Sequence, residues 1–306
     1  MEFFNLFIMY LILFIMVLIS VAFITLLERK ALSSAQVRVG PNTAGFWGLL
    51  QPFSDAIKLF TKESVLLRVS MMSVYYISPV LGMLFMLILW LVLPLHNGGL
   101  LFNFGLMYFV CVSGAAVYPI LSSGWTSNCK YSMLGSLRAV AQMLSYEVSL
   151  MMVLLSVVWL TASFNLDTIL ECQKNMWNLF FFFPLALIWF ASSLAETNRT
   201  PYDFAEGESE LVSGFNTEYG AGGFSLIFLA EYGNIIFMSA IFSLLFLTSS
   251  FSVSFPLKTM LLSFLFVWVR ASFPRYRYDL LMGLAWKSFL PVTLFIFLFY
   301  YAIVFS

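Results

Sequence analysis

The sequence predicts an all-α polytopic membrane protein with eight transmembrane helices and short amphipathic helices in the first loop on its basic side. Of 306 residues, 61% are apolar and only 10% are charged, whereas a soluble domain carries roughly a quarter charged residues. Several runs of about 20 residues lack Asp, Glu, Lys and Arg, and such a run crosses the hydrocarbon core as a helix. Alternating segments of about ten residues, typical of a transmembrane barrel, are not evident. We therefore expect one integral membrane domain over residues 1–306.

Eight segments have the length and apolarity of a membrane-crossing helix. They are approximately 3–27, 72–95, 101–122, 138–163, 177–196, 223–250, 253–271 and 283–305. The first is expected to be a retained helix, because its run is too long for a signal peptide and Glu2 replaces the basic start. It also lacks the arginines of a transit peptide, which suits a protein made inside its own organelle.

The basic residues are divided unequally between the two sides of the predicted bundle. One side holds the segments 28–71, 123–137, 197–222 and 270–287. Thirteen of the fifteen Lys and Arg residues lie there, counting adjacent helix ends, and only Lys174 and Lys258 lie opposite. Cations near helix ends favour the side from which insertion occurs, so the basic side is predicted to face the matrix or cytoplasm. An even helix count then places both termini on the other side.

A short amphipathic helix is predicted in the first basic segment. Pro52 suits a first helical position, and Phe53, Ala56, Ile57 and Phe60 then share one face. This pattern is typical of an interfacial helix lying on the bilayer. An alternative interpretation is one wall of a cavity that opens at the membrane surface.

The composition excludes several cofactors. Cys111, Cys129 and Cys172 are far apart and form no CxxC pair, so the chain alone provides neither a zinc site nor a cysteine-bound cluster. His96 is the single histidine, which excludes a haem held between two histidines. No nucleotide-binding fingerprint is present. Residues 274–278 are basic and aromatic, but charged side chains at a helix end explain them better than an RNA-binding patch.

Carboxylates within the apolar spans are the strongest functional signal, because they are costly in lipid. Glu147 follows Arg138 by nine residues, about 13 Å along the helix axis. The same span carries a polar stripe formed by Arg138, Gln142, Ser145 and Ser149. Helical phase directs Glu147 away from this stripe, so its partner must be another helix or water.

Further acidic residues flank one loop of the basic side. Glu196 ends the fifth span, Glu231 lies within the sixth, and the loop between them holds Asp203, Glu206 and Glu208. One interpretation is a solvated loop, or carboxylates paired with arginines from other loops. Crowded carboxylates in a low-dielectric site, however, cannot all ionise together. They can then load and release protons as a neighbouring charge changes, which predicts a proton relay.

Seven strings together resemble the subunit 1 family of respiratory complex I, the NADH–ubiquinone oxidoreductase. They occupy residues 28–32, 36–42, 51–63, 137–148, 194–216, 268–270 and 274–279. The most specific is Leu194-Ala-Glu-Thr-Asn-Arg-Thr-Pro-Tyr-Asp-Phe-Ala-Glu-Gly-Glu-Ser-Glu-Leu-Val-Ser-Gly-Phe-Asn216. The strings follow one another over residues 20–290, so the resemblance covers nearly the whole chain.

The resemblance implies eight transmembrane helices and a place where the hydrophilic arm of the complex meets its membrane arm. It implies that two peripheral-arm subunits complete a chamber for ubiquinone, the substrate, while flavin and iron–sulfur clusters belong to other subunits. The positions matching chamber residues are Arg29, Trp47, Asp55, Phe228 and Arg270. Those matching an acidic proton path are Glu147, Glu196, Asp203, Glu206, Glu208 and Glu231. The implied location is the mitochondrial inner membrane, beside other membrane-arm subunits, with both termini in the intermembrane space.

Three other classes compete with this interpretation. A stand-alone transporter or channel would explain buried carboxylates, but not so long a charged loop without an internal repeat. The membrane subunit of energy-converting hydrogenases shares the fold and some acidic positions, but lacks so complete a run of these strings. A purely structural anchor gives no reason to retain five or more costly carboxylates.

Overall fold

A computed structural model describes residues 2–64, 70–95, 99–100, 102–205, 207 and 214–305. The first six helices are α1 (Glu2–Ala35), α2 (Gln51–Thr61), α3 (Met72–Leu89), α4 (Gly105–Ala115), α5 (Val117–Thr126) and α6 (Lys130–Thr161). The next four are α7 (Leu166–Cys172), α8 (Asn178–Phe181), α9 (Phe183–Glu196) and α10 (Ala221–Phe246). The last three are α11 (Ser254–Ser272), α12 (Tyr278–Leu284) and α13 (Leu290–Phe305), the latter two joined by a π-helical turn at Ala285–Phe289.

Within these described residues, seven helical segments are long and apolar enough to cross a bilayer. They are Phe4–Ala35, Met72–Val92, Gly105–Thr126, Lys130–Thr161, Ala221–Phe246, Ser254–Ser272 and Tyr278–Ala302. They correspond to the predicted spans other than the fifth. The all-α membrane fold is therefore confirmed, with seven such segments instead of the eight predicted.

The fifth predicted span, residues 177–196, differs from expectation. The chain leaves helical geometry at Phe182, two residues before Pro184, and this break separates α8 from α9. Helix α9 has 14 residues, about 21 Å of helix, whereas the hydrocarbon core is about 30 Å thick. Ala116 separates α4 from α5 three residues before Pro119, but it keeps helical dihedral angles, so these two helices form one continuous segment.

The loop predicted at 123–137 is mostly helical. Helix α5 ends at Thr126 and α6 begins at Lys130, so only Ser127–Cys129 connects them. The same holds for 270–287, where α11 continues to Ser272 and α12 begins at Tyr278. Hydropathy underestimates these helices because their ends are polar, and helical hydrogen bonding does not stop where the apolar stretch does.

Helices α6 and α10 form the centre of the bundle. More than half of the most apolar window of each is buried, against less than a quarter for α1. The largest fully buried side chains include Trp189, Tyr146 and Phe109. Helix α1 instead exposes a row of large apolar side chains such as Phe7, Leu11 and Ile15, as expected of a surface that contacts lipid.

The polar ends of the helices meet at two separate ends of the bundle. At one end, Tyr276 donates its backbone N–H to Pro201 at 3.1 Å, which joins the third and fourth basic segments. At the other end, the Lys258 ammonium donates to the Leu247 carbonyl and lies 4.9 Å from the Trp177 ring. The acidic segments and the long basic loops therefore lie together.

Candidate functional site

An apolar cavity of about 320 Å³ lies between α1, α2 and α10. Its walls include Val21, Leu59, Phe228 and Tyr232. Such a volume, with apolar walls and a few polar groups, is typical of a pocket for a small apolar ligand.

The polar rim of this apolar cavity comes from an ion pair between Arg29 on α1 and Asp55 on α2. Asp55 also accepts a hydrogen bond from Gln51 at 3.0 Å, which fixes the carboxylate on its own helix. The structure thus brings together three residues that the sequence assigned to the chamber: Arg29, Asp55 and Phe228. The helix at residues 51–61 was interpreted either as an interfacial helix or as one wall of a cavity. Its inward face lines the apolar cavity, which fits the second interpretation, while Ile57 and Phe53 remain exposed.

The other two residues assigned to the chamber lie elsewhere. Trp47 is 68% exposed, stacks on Phe46, and accepts a hydrogen bond from Lys30 at its backbone carbonyl. Arg270 does not line the apolar cavity but pairs with Glu28 beside it.

A second cavity, of about 70 Å³, lies deeper, between α3, α9 and α10. We call it the acidic cavity, because Glu196 and Glu231 both line it, together with the amides Asn198 and Asn234. It is large enough for a few water molecules. Two carboxylates assigned to the proton path therefore line one cavity.

Three buried acceptor atoms at the acidic cavity have no hydrogen-bond partner among the described residues. They are Glu196 Oε2, Asn198 Oδ1 and Asn234 Oδ1. Buried polar atoms are nearly always satisfied, by protein or by ordered water. The three acceptors together therefore require donors inside the cavity, either water or a protonated carboxyl group.

Glu147 approaches the acidic cavity from α6. As predicted from helical phase, it points away from Gln142 and Ser149, which are buried, and reaches α4 instead. A Cβ atom at Gly114 would lie 2.8 Å from the Glu147 carboxylate, so the absence of a side chain there makes room for it. The half-buried carboxylate is also close enough for its charge to act on Glu196.

The remaining acidic positions behave differently. Asp203 is buried and forms an ion pair with Arg275 at 3.2 Å, which matches the structural alternative of pairing with another loop. It does not line the acidic cavity. Glu206 and Glu208 lie outside the described residues.

Gln142 positions the segment that carries Glu196. Its buried side-chain amide donates to the carbonyls of Ala195 at 2.8 Å and Tyr202 at 2.7 Å. The first of these carbonyls belongs to the last turn of α9, where backbone acceptors lack helical partners. One side chain therefore fixes both ends of the loop between Glu196 and Asp203.

A charged cluster separates the apolar cavity from the acidic cavity. Glu28 is 4% exposed and pairs with both Arg199 and Arg270. The Arg199 guanidinium lies 4.2 Å from the centre of the Tyr232 ring, which also lines the apolar cavity. Burial acts to lower the pKa of Arg199, but Tyr232 and the carboxylates around it outweigh burial and raise that pKa. Arg199 is therefore a permanent buried cation.

Four residues at the site were not predicted from the sequence: Glu28, Tyr232, Gln142 and Asn234. A weak signal existed for Asn234, an amide within an apolar span three residues after Glu231. Glu28 stands at the end of a long apolar run and resembles an ordinary helix-end charge. Its burial depends on α11, which is more than 220 residues away in the sequence.

These features define a class: a polytopic helical membrane protein in which an apolar cavity lies beside a buried acidic one. In the described part of the chain, no cluster of three or more His, Cys, Asp or Glu residues is arranged to hold a metal ion. A family model described as NADH dehydrogenase matches residues 8–301. The chain belongs to this family.

Curated relatives indicate the same family. The chain is 52% identical over 285 residues to NADH-ubiquinone oxidoreductase chain 1 of Aedes aegypti, with 93% of this chain and 91% of the relative covered. Identity to the protein of that name from Locusta migratoria is 54%, with the same coverage. The protein of the same name from Sminthopsis macroura is 52% identical, with 93% of this chain and 92% of the relative covered.

Proposed function

We propose that this chain is a core membrane subunit of a proton-pumping NADH:ubiquinone oxidoreductase. In this proposal it forms part of the ubiquinone chamber and of the carboxylate chain that couples quinone reduction to proton translocation. The observation that carries the proposal is the wall shared by the two cavities. Phe228 and Tyr232 of α10 line the apolar cavity, and Glu231 and Asn234 of the same helix line the acidic one.

The apolar cavity would admit the quinone. Its apolar walls suit an isoprenoid tail, and the Arg29–Asp55 pair at the rim offers hydrogen-bonding groups to a polar head. The chamber assigned here consists of Arg29, Trp47, Asp55, Phe228 and Arg270. Trp47 lies in an exposed loop with Phe46, Val37 and Val39, which are 68 to 94% exposed. Such an apolar patch fits a surface covered by a peripheral-arm subunit.

The carboxylate chain would carry the coupling. A change of charge after quinone reduction would bias the protonation of Glu231 and Glu196, and through them Glu147, toward neighbouring membrane-arm subunits. Protons move between such groups when they lie within hydrogen-bond reach or are bridged by one water. The full path assigned is Glu147, Glu196, Asp203, Glu206, Glu208 and Glu231, with Asp203 held in its ion pair until Arg275 is displaced.

We infer eight membrane crossings, the fifth made by α8 and α9 together. The basic end then faces the mitochondrial matrix and both termini face the intermembrane space. Residues 178–196 suffice if the bilayer is locally thinned or the break lies within protein, because irregular backbone is tolerated at membrane depth only when it is shielded from lipid.

Native electrophoresis of detergent-solubilised membranes tests the assignment. A core subunit is expected to comigrate with a very large assembly that stains for NADH oxidation. Migration of the chain as a small free species would instead indicate a stand-alone transporter.

Phe228→Ala is expected to raise the KM for a short-chain ubiquinone by about tenfold with a smaller effect on kcat, since the loss of a ring from an apolar wall weakens binding. Steady-state NADH:quinone kinetics of the assembled complex measure this. The control is Phe264→Ala, which removes an exposed ring of α11 outside both cavities. Equal KM values for the two variants would contradict the chamber assignment.

A further inference from the structure

Glu28 is the anion of the charged cluster between the two cavities. Two guanidinium groups share one of its carboxylate oxygens: Arg270, in a short contact, and Arg199, at 3.4 Å. The Tyr232 side chain contacts both Glu28 and Arg199. Three elements distant in sequence, α1, α11 and the segment after α9, therefore meet at this carboxylate.

Arg199 faces two carboxylates but is paired with one of them. Its Nη1 contacts Glu28, while Nη2 is buried and has no hydrogen-bond partner within the part of the chain that the structure describes. Glu231, which lines the acidic cavity, lies near enough for its charge to act on Arg199. A buried cation seeks an anion, since an unpaired charge in a low-dielectric site is strongly unfavourable. Glu28 and Glu231 therefore compete for this guanidinium.

We propose that Glu28 is a positioning residue that holds Arg199 toward α1 and so prevents it from forming a direct ion pair with Glu231. This inference rests on the proposed function, because it concerns the path through Glu231. Without the Glu28 charge, Arg199 would turn its second nitrogen to Glu231. If Glu231 formed a tight ion pair with Arg199, its carboxylate would stay ionised and would no longer exchange protons with water in the acidic cavity.

Two substitutions of Glu28 separate charge from size. In the assembled complex of a relative with replaceable genes, Glu28→Gln is expected to lower the ratio of ubiquinone-dependent to artificial-acceptor NADH oxidation by about tenfold, the scale of a broken buried pair. Protons pumped per NADH should also fall. Glu28→Asp keeps the charge and should retain both values within about twofold. Because both readouts are ratios, a smaller amount of assembled complex does not change them. Parental ratios in Glu28→Gln would overturn the proposal.

A double-mutant cycle shows whether Glu28 acts through Arg199. If it does, Glu28 has no remaining role once Arg199→Gln is present, and the double variant should match Arg199→Gln in both ratios. The double variant keeps the net charge of the parent, which favours its assembly. A further loss in the double variant would show that Glu28 acts independently of Arg199, by holding Arg270, and would overturn the proposal. Failure of Glu28→Gln, Arg199→Gln and the double variant to assemble would also overturn it.

Glu231→Gln separates this inference from the proposed function. If that substitution leaves pumping and quinone-dependent turnover unchanged, the path through Glu231 is wrong and the role of Glu28 falls with it. If it abolishes pumping while the cycle between Glu28 and Arg199 is additive, the relay stands and only the positioning role fails.

Discussion

Replacing Glu147 with Gln is expected to reduce ubiquinone-dependent NADH oxidation and proton pumping by about a hundredfold, the lower end of the range for loss of a proton-transferring group. Glutamine has nearly the same shape, so the contact with Gly114 is preserved and the substitution removes only the ionisable group. Reduction of an artificial acceptor by NADH should continue, because that reaction does not involve quinone. The three rates are measured on membranes of a bacterial relative that carries the substitution at the matching position.

The matched control is Glu171→Gln. Glu171 lies beside Lys174 on the opposite end of the bundle, and its side chain is 66% exposed. An exposed pair of this kind contributes little, so the control should behave as the parent in all three rates. If Glu147→Gln also leaves all three rates unchanged, its place in the proton path is wrong.

Gln142→Leu is the second substitution with a large expected effect. It removes both hydrogen bonds by which α6 holds the segment from Ala195 to Tyr202, and each carbonyl then keeps only a local backbone donor, the N–H of Asn198 or of Phe204. Loss of each hydrogen bond costs about 0.5–1.5 kcal/mol, and the loop that carries Asn198 and Arg199 should move. We expect less assembled complex, and in what does assemble a quinone-dependent rate at least about fivefold lower, the effect of about 1 kcal/mol.

Gln173→Leu is a closely matched control for Gln142→Leu. Gln173 is also buried and donates its side-chain amide to one carbonyl, that of Leu244, at 2.7 Å. This bond lies away from both cavities, so the control should lower the amount of complex without changing turnover per assembled complex. Blue native gels quantify assembly, and the rate is normalised to it. An equal loss of normalised rate in both variants would show that Gln142 has no specific effect on the site.

The relation between sequence and structure differs between regions of the chain. Helix positions followed from hydropathy, because a span in lipid must satisfy its backbone within the helix and must be apolar along its length. The same rule predicted one continuous helix over residues 177–196, whereas the structure has two helices separated at Phe182. Pro184 was visible there, but the position of the break at Phe182 depends on packing and on the first turn that Pro184 favours.

For the site, the sequence supplied the residue types and the structure selected among them. The phase of α6 was sufficient to separate Glu147 from Gln142, since both lie on one regular helix. Whether Asp203 belonged to a relay or to an ion pair could not be decided, because Arg275 approaches from a loop 72 residues further along. The direction of the Trp47 side chain could not be predicted either, because its loop has no periodicity from which to infer it.

The sequence by itself determined that the chain is a helical membrane protein, where seven helices long and apolar enough to cross a bilayer lie, and which charges are costly enough to require a reason. These properties depend on local composition and on the physics of a single helix in lipid. Only the tertiary structure decided which costly charges meet. Glu196 and Glu231 share a cavity, while Glu28 joins Arg199 to Arg270 across more than 240 residues of chain. Such contacts depend on how the helices pack against one another, and no local pattern encodes that packing.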